Sequence, residues 1–407
     1  MYLSQFQTVL TIKQQILLRI IMSIYSKLGV KRVVNAGFLF TRLGGSTLHP
    51  EILAAMQEAN QSWAPMWDLI KRGGEIIAET CGAEAGWITS GAFNALVLAS
   101  ATAIAGKDPE KMRNLPHTEN MKNEIIIQRA NRLLLYDRSM EVPGGKFIQV
   151  GDERWGCTPE LMEQAINEKT VAIHHVIAGR LRSGVLTVQE TVDIAHRHNI
   201  PVILDVSGMT YPLDGLTKYV KMGVDVACYG GKYVGGPNST GFCIGKKEII
   251  EALALHSFIG AEAGPKDMGG YYRSIGRGYK LDRQEVVALI VAFQRWMTMD
   301  HEKERLQPAW QRARYIVDGL KKIPGLDAQI NYSPPSGTGV NYHVIGVQLT
   351  WPNKTPIEVK EITLKLQEDD PMVYVRGGRT NGFNLNCLTL NPGEEAIVVE
   401  RFKKIFS

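Results

Sequence analysis

Apolar residues follow two rhythms along this chain. Between residues 86 and 231, short apolar runs alternate with longer stretches at helical spacing. GWITS (86–90), EIIIQ (124–128), KFIQV (146–150), TVAIHHVIA (170–178), IPVILDVSG (200–208) and DVACYGG (225–231) predict strands. Gly91 to Ala105, rich in Ala and Leu, predicts a helix. TPELMEQAINEK (158–169) predicts another, with Thr158 as N-cap and Pro159 at the first helical position. TVQE (187–190) is a capping box that opens a helix running to His198. Strands that alternate with helices require a mostly parallel sheet covered on both faces, so the fold class is α/β.

The flanks read differently. Leu10, Ile12, Ile16, Leu17, Ile20, Ile21 and Ile24 recur at helical spacing and predict a helix that packs on a subunit surface; Met22 is a second candidate start. Arg19 interrupts the apolar stretch Ile16–Ile24, and Ala95–Ala105 is far shorter than the ~20 residues that span a bilayer, so no membrane partner is expected. Beyond Gly278, Asp282 to about Lys322 predicts two long helices broken near Pro308, followed by short strands, turns and a last helix from Glu394. The expected organisation is an N-terminal helical extension (1–30), a large domain (31–280) and a smaller C-terminal α+β domain (281–407).

Composition narrows the function classes. Of 407 residues, 44% are hydrophobic and 21% charged, which excludes a disordered or coiled-coil chain. A net charge of +5 with no run of like charges gives no footprint for nucleic acid. The 5 cysteines are odd in number and none is spaced CxxC, so a reducing cytoplasm is expected. Many of the 40 glycines fall in clusters, as where a backbone turns tightly against a ligand.

Several chemistries lack their signals: there is no GxxxxGK[ST] loop, no GxGxxG between a strand and a helix, no HExxH and no GxSxG elbow. His196 and His198 point to different helix faces, and His174 and His175 to opposite sides of a strand, so these read as ordinary histidines and no metal is expected. Asp205 stands out at the carboxyl end of an almost wholly apolar strand, where a buried carboxylate needs a partner or a function and where α/β sheets bind ligands. Lys232 follows two glycines at the end of the next strand, with GGP just beyond. A lysine that can form a Schiff base and a carboxylate that can pair with a pyridinium nitrogen meet the electronic requirement of pyridoxal 5′-phosphate (PLP). Ser90-Gly91-Ala92 opens a helix after a strand, a place for its phosphate.

In this order TSGA, DVSG and YGGKYVGGPNSTG resemble fold-type I PLP enzymes, the aspartate aminotransferase-like fold. Within them they resemble the group of bacterial selenocysteine synthase (seryl-tRNA selenium transferase) and D-glucosaminate-6-phosphate ammonia-lyase-like proteins. VVNAGFLFTRLGGSTLHPEI (33–52), SGVLTVQETVDIAHRHNIPVILD (183–205), SIGRGYKLDRQEVVALI (274–290) and VYVRGG (373–378) extend the likeness over roughly 30–400. The resemblance implies that Lys232 holds the cofactor and shuttles the Cα proton, and that Asp205 pairs with the pyridinium. It further implies that Ser90, Gly91 and Ala92 bind the phosphate, that Ser207 contacts the cofactor, and that Ser239 and Thr240 reach the phosphate of a neighbouring subunit. A homodimer or larger even homo-oligomer with shared sites follows. Arg376, and as a second choice Arg277, would hold an anionic group of the substrate.

Two departures stand out. QRANR (128–132) puts Asn131 where the related lyases place a histidine over the cofactor ring, and Tyr229 replaces a serine that is frequent before GGK. The expected activity is a PLP-dependent lyase that removes the Cα proton of a small amino acid or amino sugar acid and eliminates a group. Aldol cleavage, racemisation and transamination share the first steps. A tRNA-dependent selenium transferase is disfavoured, because that protein carries a substantial N-terminal tRNA domain. The intact Lys232 and Asp205 speak against a non-catalytic PLP-binding protein.

Overall fold

The computed structural model describes residues 23–177, 184–264, 273–333, 344–351, 356–377 and 382–406. The helix expected before Ser23, together with Met22, lies outside them. The strands are β1 (Val33–Ala36), β2 (Ala85–Thr89), β3 (Glu124–Gln128), β4 (Lys146–Val150), β5 (Thr170–Val176), β6 (Val202–Asp205), β7 (Val226–Gly230), β8 (Gly241–Gly245), β9 (Asp327–Ser333), β10 (Val344–Thr350), β11 (Met372–Gly377) and β12 (Gly382–Asn386). The chain divides into two compact units: one runs from Gly44 to Met299, and the other combines residues up to Leu43 with Asp300–Tyr332 and the stretch from Val344 onward.

The central unit is built on a seven-stranded sheet in the order β2-β8-β7-β6-β5-β3-β4. Only β8 runs against its neighbours. Its strands read as continuous apolar runs because both faces are covered: β5, β6, β7 and β8 are buried at every position. Helix α1 (Met66–Cys81) crosses β2 so closely that a Cβ on Gly74 would stand 2.0 Å from the Gly86 carbonyl oxygen. Helix α2 (Gly91–Ala105) is apolar all round and lies in the core, with Leu96, Val97, Leu98 and Ala101 nearly inaccessible. Helix α3 (Val188–Arg197) starts at the predicted box, with the Thr187 hydroxyl and the Glu190 carboxylate capping each other's backbone. The strand order reverses between β3 and β5: from β3 the chain continues outward to β4, and from β5 it continues the other way to β6. Such a reversal opens a crevice at the carboxyl ends of the strands.

The helix expected over 158–169 ends at Gln164. Beyond it the Asn167 carboxamide accepts the Lys169 N–H (2.8 Å), and the Thr170 hydroxyl accepts the Asn167 N–H (3.0 Å), so side chains offer the backbone a turn in place of the next helical bonds. The long helical stretch after Asp282 breaks at 299–301, not at Pro308. Helix α4 (Arg283–Thr298) closes the central unit; a π-helical turn spans Glu302–Leu306 and runs on without a break in helical backbone into α5 (Gln307–Leu320), whose second residue is Pro308.

The other unit carries a mixed sheet in the order β1-β11-β12-β10-β9. β1 pairs parallel with β11, Val33 against Met372. α6 (Pro356–Glu368), which the sequence pattern did not announce, and α7 (Glu394–Phe406) complete it. Trp351, Phe383 and Phe402 form its aromatic core, with ring centroids 5.4 Å and 6.0 Å apart. Among the described residues no helix is long and apolar enough to cross a membrane.

Candidate active site

Asp205 ends β6 and is buried, 6% exposed. Its carboxylate accepts the Ser207 N–H at 3.1 Å and also bonds the Ser207 side chain. Among the described residues no cationic side chain bonds it. Burial therefore pushes its pKa up, and the nearby His174 only partly opposes this. His174 Nδ1 lies 3.1 Å from the Ile203 carbonyl, which can only accept, so Nδ1 carries the proton. Burial holds the His174 pKa below the usual histidine range and so favours the neutral ring, although the Asp205 charge opposes this.

β7 lies beside β6, with Cys228 opposite Asp205. It runs into a 3-10 turn, Gly231–Val234, that carries Lys232. Two bonds stitch the loops after these strands together: Gly230 N–H donates to the Ser207 carbonyl (3.0 Å), and the Thr210 hydroxyl donates to the Tyr233 carbonyl (2.7 Å). The turn is pinned from behind where Gly231 N–H donates to the Thr240 carbonyl at 2.7 Å. The Lys232 side chain is partly buried, its Nζ is 5.2 Å from the centre of the Tyr233 ring, and burial lowers its pKa. A lowered pKa favours the neutral amine that attacks a carbonyl.

The start of α2 adjoins this pair through the loop before β8. Gly91 has φ +76°, a left-handed conformation that favours glycine, and its open side meets only the Ser239 carbonyl oxygen, 4.0 Å from where a Cβ would stand. The Ser90 hydroxyl donates to that carbonyl (3.3 Å) and makes no capping bond to the first turn, while the Ser90 N–H donates to Asn94 Oδ1 (3.3 Å). Asn94 Nδ2 is buried without a partner among the described residues. Ser239 is exposed and its hydroxyl bonds Glu285, whereas Thr240 is buried and donates to the Pro237 carbonyl at 2.8 Å.

The remaining predicted residues separate. Asn131 follows β3 in a 3-10 turn and is buried; its carboxamide donates to the Val176 carbonyl and accepts the Val176 N–H, both at 2.7 Å. It acts as a clamp on the end of β5, next to Asp205. The Tyr229 hydroxyl is in the core, bonded to the Gly215 carbonyl at 3.0 Å. Arg277 is tied to Glu262 at 2.6 Å. Arg376 lies exposed near the end of β11, in the other unit, with Asn384 across the ladder. Sequence reasoning did not single out His174 beside Asp205 or Asn94 at the start of α2. The only available signal was a polar residue inside or just after an apolar run.

An uncompensated buried carboxylate, a partly desolvated lysine and an uncapped helix start with an unpartnered Asn94 amide fit a group that carries a cationic ring nitrogen, an aldehyde and a phosphate. The fold is that of the fold-type I PLP enzymes. No protein-family model matches the chain. It is similar to D-glucosaminate-6-phosphate ammonia lyase of Salmonella typhimurium, 25% identical over 389 residues that cover 94% of this chain and 98% of that one. It is similar to the 5′-C-glycyluridine monooxygenase-decarboxylase of a Streptomyces species, also 25% identical, over 94% and 91% of the two chains. An L-seryl-tRNA(Sec) selenium transferase of Geobacter metallireducens matches 57% of this chain and 53% of its own length, at 25% identity. Among solved structures, D-glucosaminate-6-phosphate ammonia-lyase superposes with a TM-score of 0.79 over 94% of this chain and 98% of that one, at 25% identity. A serine palmitoyltransferase with PLP superposes with a TM-score of 0.54 over 91% and 86%, at 17% identity, a likeness of fold alone.

Proposed function

We propose that this chain is a PLP-dependent lyase that removes the Cα proton of a small amino acid or amino sugar acid and eliminates a group from it. The observation that carries the reading is Asp205, a buried carboxylate with no cationic partner among the described residues, on the strand next to the one that delivers Lys232. Similarity to an ammonia lyase over nearly the whole of both chains supports it. Bound PLP supplies an electron sink conjugated to the substrate Cα. Asp205 provides the countercharge for a cationic ring nitrogen and is held for that task by Ser207. Lys232 would hold the aldehyde carbon of the cofactor through its amine, and its Nζ is the group that would carry the Cα proton. Ser90, Gly91 and Ala92 offer the phosphate the open start of α2, with Ser239 and Thr240 at its border. Asn131 holds the floor of the site through β5. Arg376 and, as the second choice, Arg277 are the anchors proposed for a substrate carboxylate.

A second copy of the chain completes this reading. Leu134, Leu135, Tyr136 and Trp155 follow β3 and β4 at the carboxyl edge of the sheet and remain exposed, by 75%, 77%, 53% and 77%. An apolar rim of this kind belongs in an interface, and a homodimer or larger even assembly would cover it. Five buried cysteines with free thiols fit a cytoplasmic enzyme.

Borohydride reduction of the PLP-loaded protein followed by peptide mapping tests the site. The label belongs on Lys232; a label on Lys246 or Lys280 would sink the assignment. A screen of amino acids for ammonia and keto-acid release tests the reaction. The 25% identity to a monooxygenase-decarboxylase supports loss of carbon dioxide as the second reading, and oxygen uptake in the same screen would reveal it.

A further inference from the structure

The strand order reverses between β3 and β5, and Asn131 bridges their carboxyl ends by gripping both backbone groups of Val176. The residue after this clamp is Arg132, whose own backbone N–H closes the turn on the Arg129 carbonyl (3.3 Å). Its side chain is held as firmly. Nε donates to Asp137 at 2.7 Å; Asp137 is 3% exposed and Arg132 18%. The guanidinium carbon sits 5.2 Å from the centre of the Phe147 ring, and that ring lies 6.3 Å from His174. The registers put Phe147, His174 and Asp205 on one face of the sheet: Ile125 pairs with Phe147, Ile127 with His174, and His174 with Ile203, two residues before Asp205. Neither terminal nitrogen of Arg132 has a hydrogen-bond partner among the described residues, and both reach solvent.

A guanidinium fixed at Nε and covered on one face presents its two terminal N–H groups as a fork of set direction. That fork matches the two oxygens of a carboxylate or phosphate, and little side-chain freedom remains to be lost on binding. Arg277, by contrast, is already joined to Glu262. We infer that Arg132 binds an oxyanion of the substrate, carboxylate or phosphate, in the crevice between β3 and β5. This rests on the reading of the chain as a PLP enzyme for small anionic amino compounds.

The test uses the PLP-loaded protein, in which the start of α2 is already filled. Inorganic phosphate and succinate serve as probes, titrated by calorimetry at constant ionic strength, and the one that binds tells the two oxyanions apart. Arg132→Gln strips Asp137 of its cation and endangers the fold, so Arg132→Lys, which keeps the charge and loses the fork, carries the decision. It should weaken the bound probe at least ~10-fold while the visible absorbance of the cofactor stays unchanged. Wild-type protein that binds neither probe, or an Arg132→Lys variant with unchanged affinity, overturns the inference. Failure of the wild type to take up PLP at Lys232 would instead overturn the functional reading beneath it.

Discussion

Two buried aspartates stand at opposite edges of the same sheet. Asp225 precedes β7 at the amino edge and is 3% exposed; Asp205 ends β6 at the carboxyl edge and is 6% exposed. Asp225 is fully provided for. Lys246 Nζ lies 2.6 Å from one oxygen, and the other bonds His196 Nε2 at 3.0 Å and the Val202 N–H at 2.7 Å. Asp205 has Ser207 and a buried histidine nearby. A carboxylate whose charge is answered within the chain is part of the framework. One whose charge is unanswered holds a place for a cation that arrives later.

Substitutions at each edge can break this contrast. The largest effect belongs to Lys232, the neighbour of the unanswered carboxylate. Lys232→Ala should reduce turnover to the background rate and remove the borohydride-fixed label while leaving the melting temperature of the cofactor-free protein nearly unchanged. Asp205→Ala should retain visible cofactor absorbance yet slow exchange of the substrate Cα proton, followed by NMR in deuterated buffer, by at least ~10²–10³-fold. Its melting temperature should barely move, since the substitution also removes a poorly solvated charge. Asp225→Ala should do the reverse. It leaves the Val202 N–H without an acceptor and Lys246 without a partner, costing about 2–3 kcal/mol in a denaturant titration, with exchange per folded molecule intact. Equal stability losses at the two positions would erase the distinction.

The smallest effect is a slope against pH. Burial raises the Asp205 pKa, so the native state binds its proton more readily than the unfolded chain. The associated stability is present below the unfolded carboxyl pKa and is lost as pH rises through the folded value. Cofactor-free protein should therefore lose stability over that window, and Asp205→Asn should flatten the loss. A cation bound against the carboxylate should flatten it as well. A wild-type slope that survives both changes would place the titration elsewhere.

The central sheet was largely legible because strands buried on both faces leave uninterrupted apolar runs, as in EIIIQ and VILD. Asp205 and Lys232 were legible for the same reason: each interrupts or ends such a run. What escaped depends on partners distant in sequence. Asn131 reads from the sequence only as the residue standing where the related lyases place a histidine, because its neighbours in the chain do not disclose Val176, 45 residues on. His174 sits inside an apolar strand like any core histidine, and only the register puts it on the face of Asp205. Arg132 resembles its neighbour Arg129 until Asp137 and Phe147 are seen to hold it. The α6 pattern is diluted by Glu358, Lys360, Glu361 and Lys365, and the break at 299–301 is marked only by Asp300, whose carboxylate accepts the Lys303 N–H (3.0 Å) and caps the next turn.

The pairing of Val33 with Met372 also sets a timetable. During synthesis the segment that becomes β1 leaves the ribosome early, while its partner strand is still untranslated. The strands from β2 to β8 complete their own sheet in the interval, since all their mutual partners lie between residues 85 and 245. The first strand therefore waits with an unpaired edge through most of translation, and closing so distant a contact is slow. For a nascent chain of this kind, the vulnerable moment is that wait, when an exposed strand is open to a chaperone or to another polypeptide.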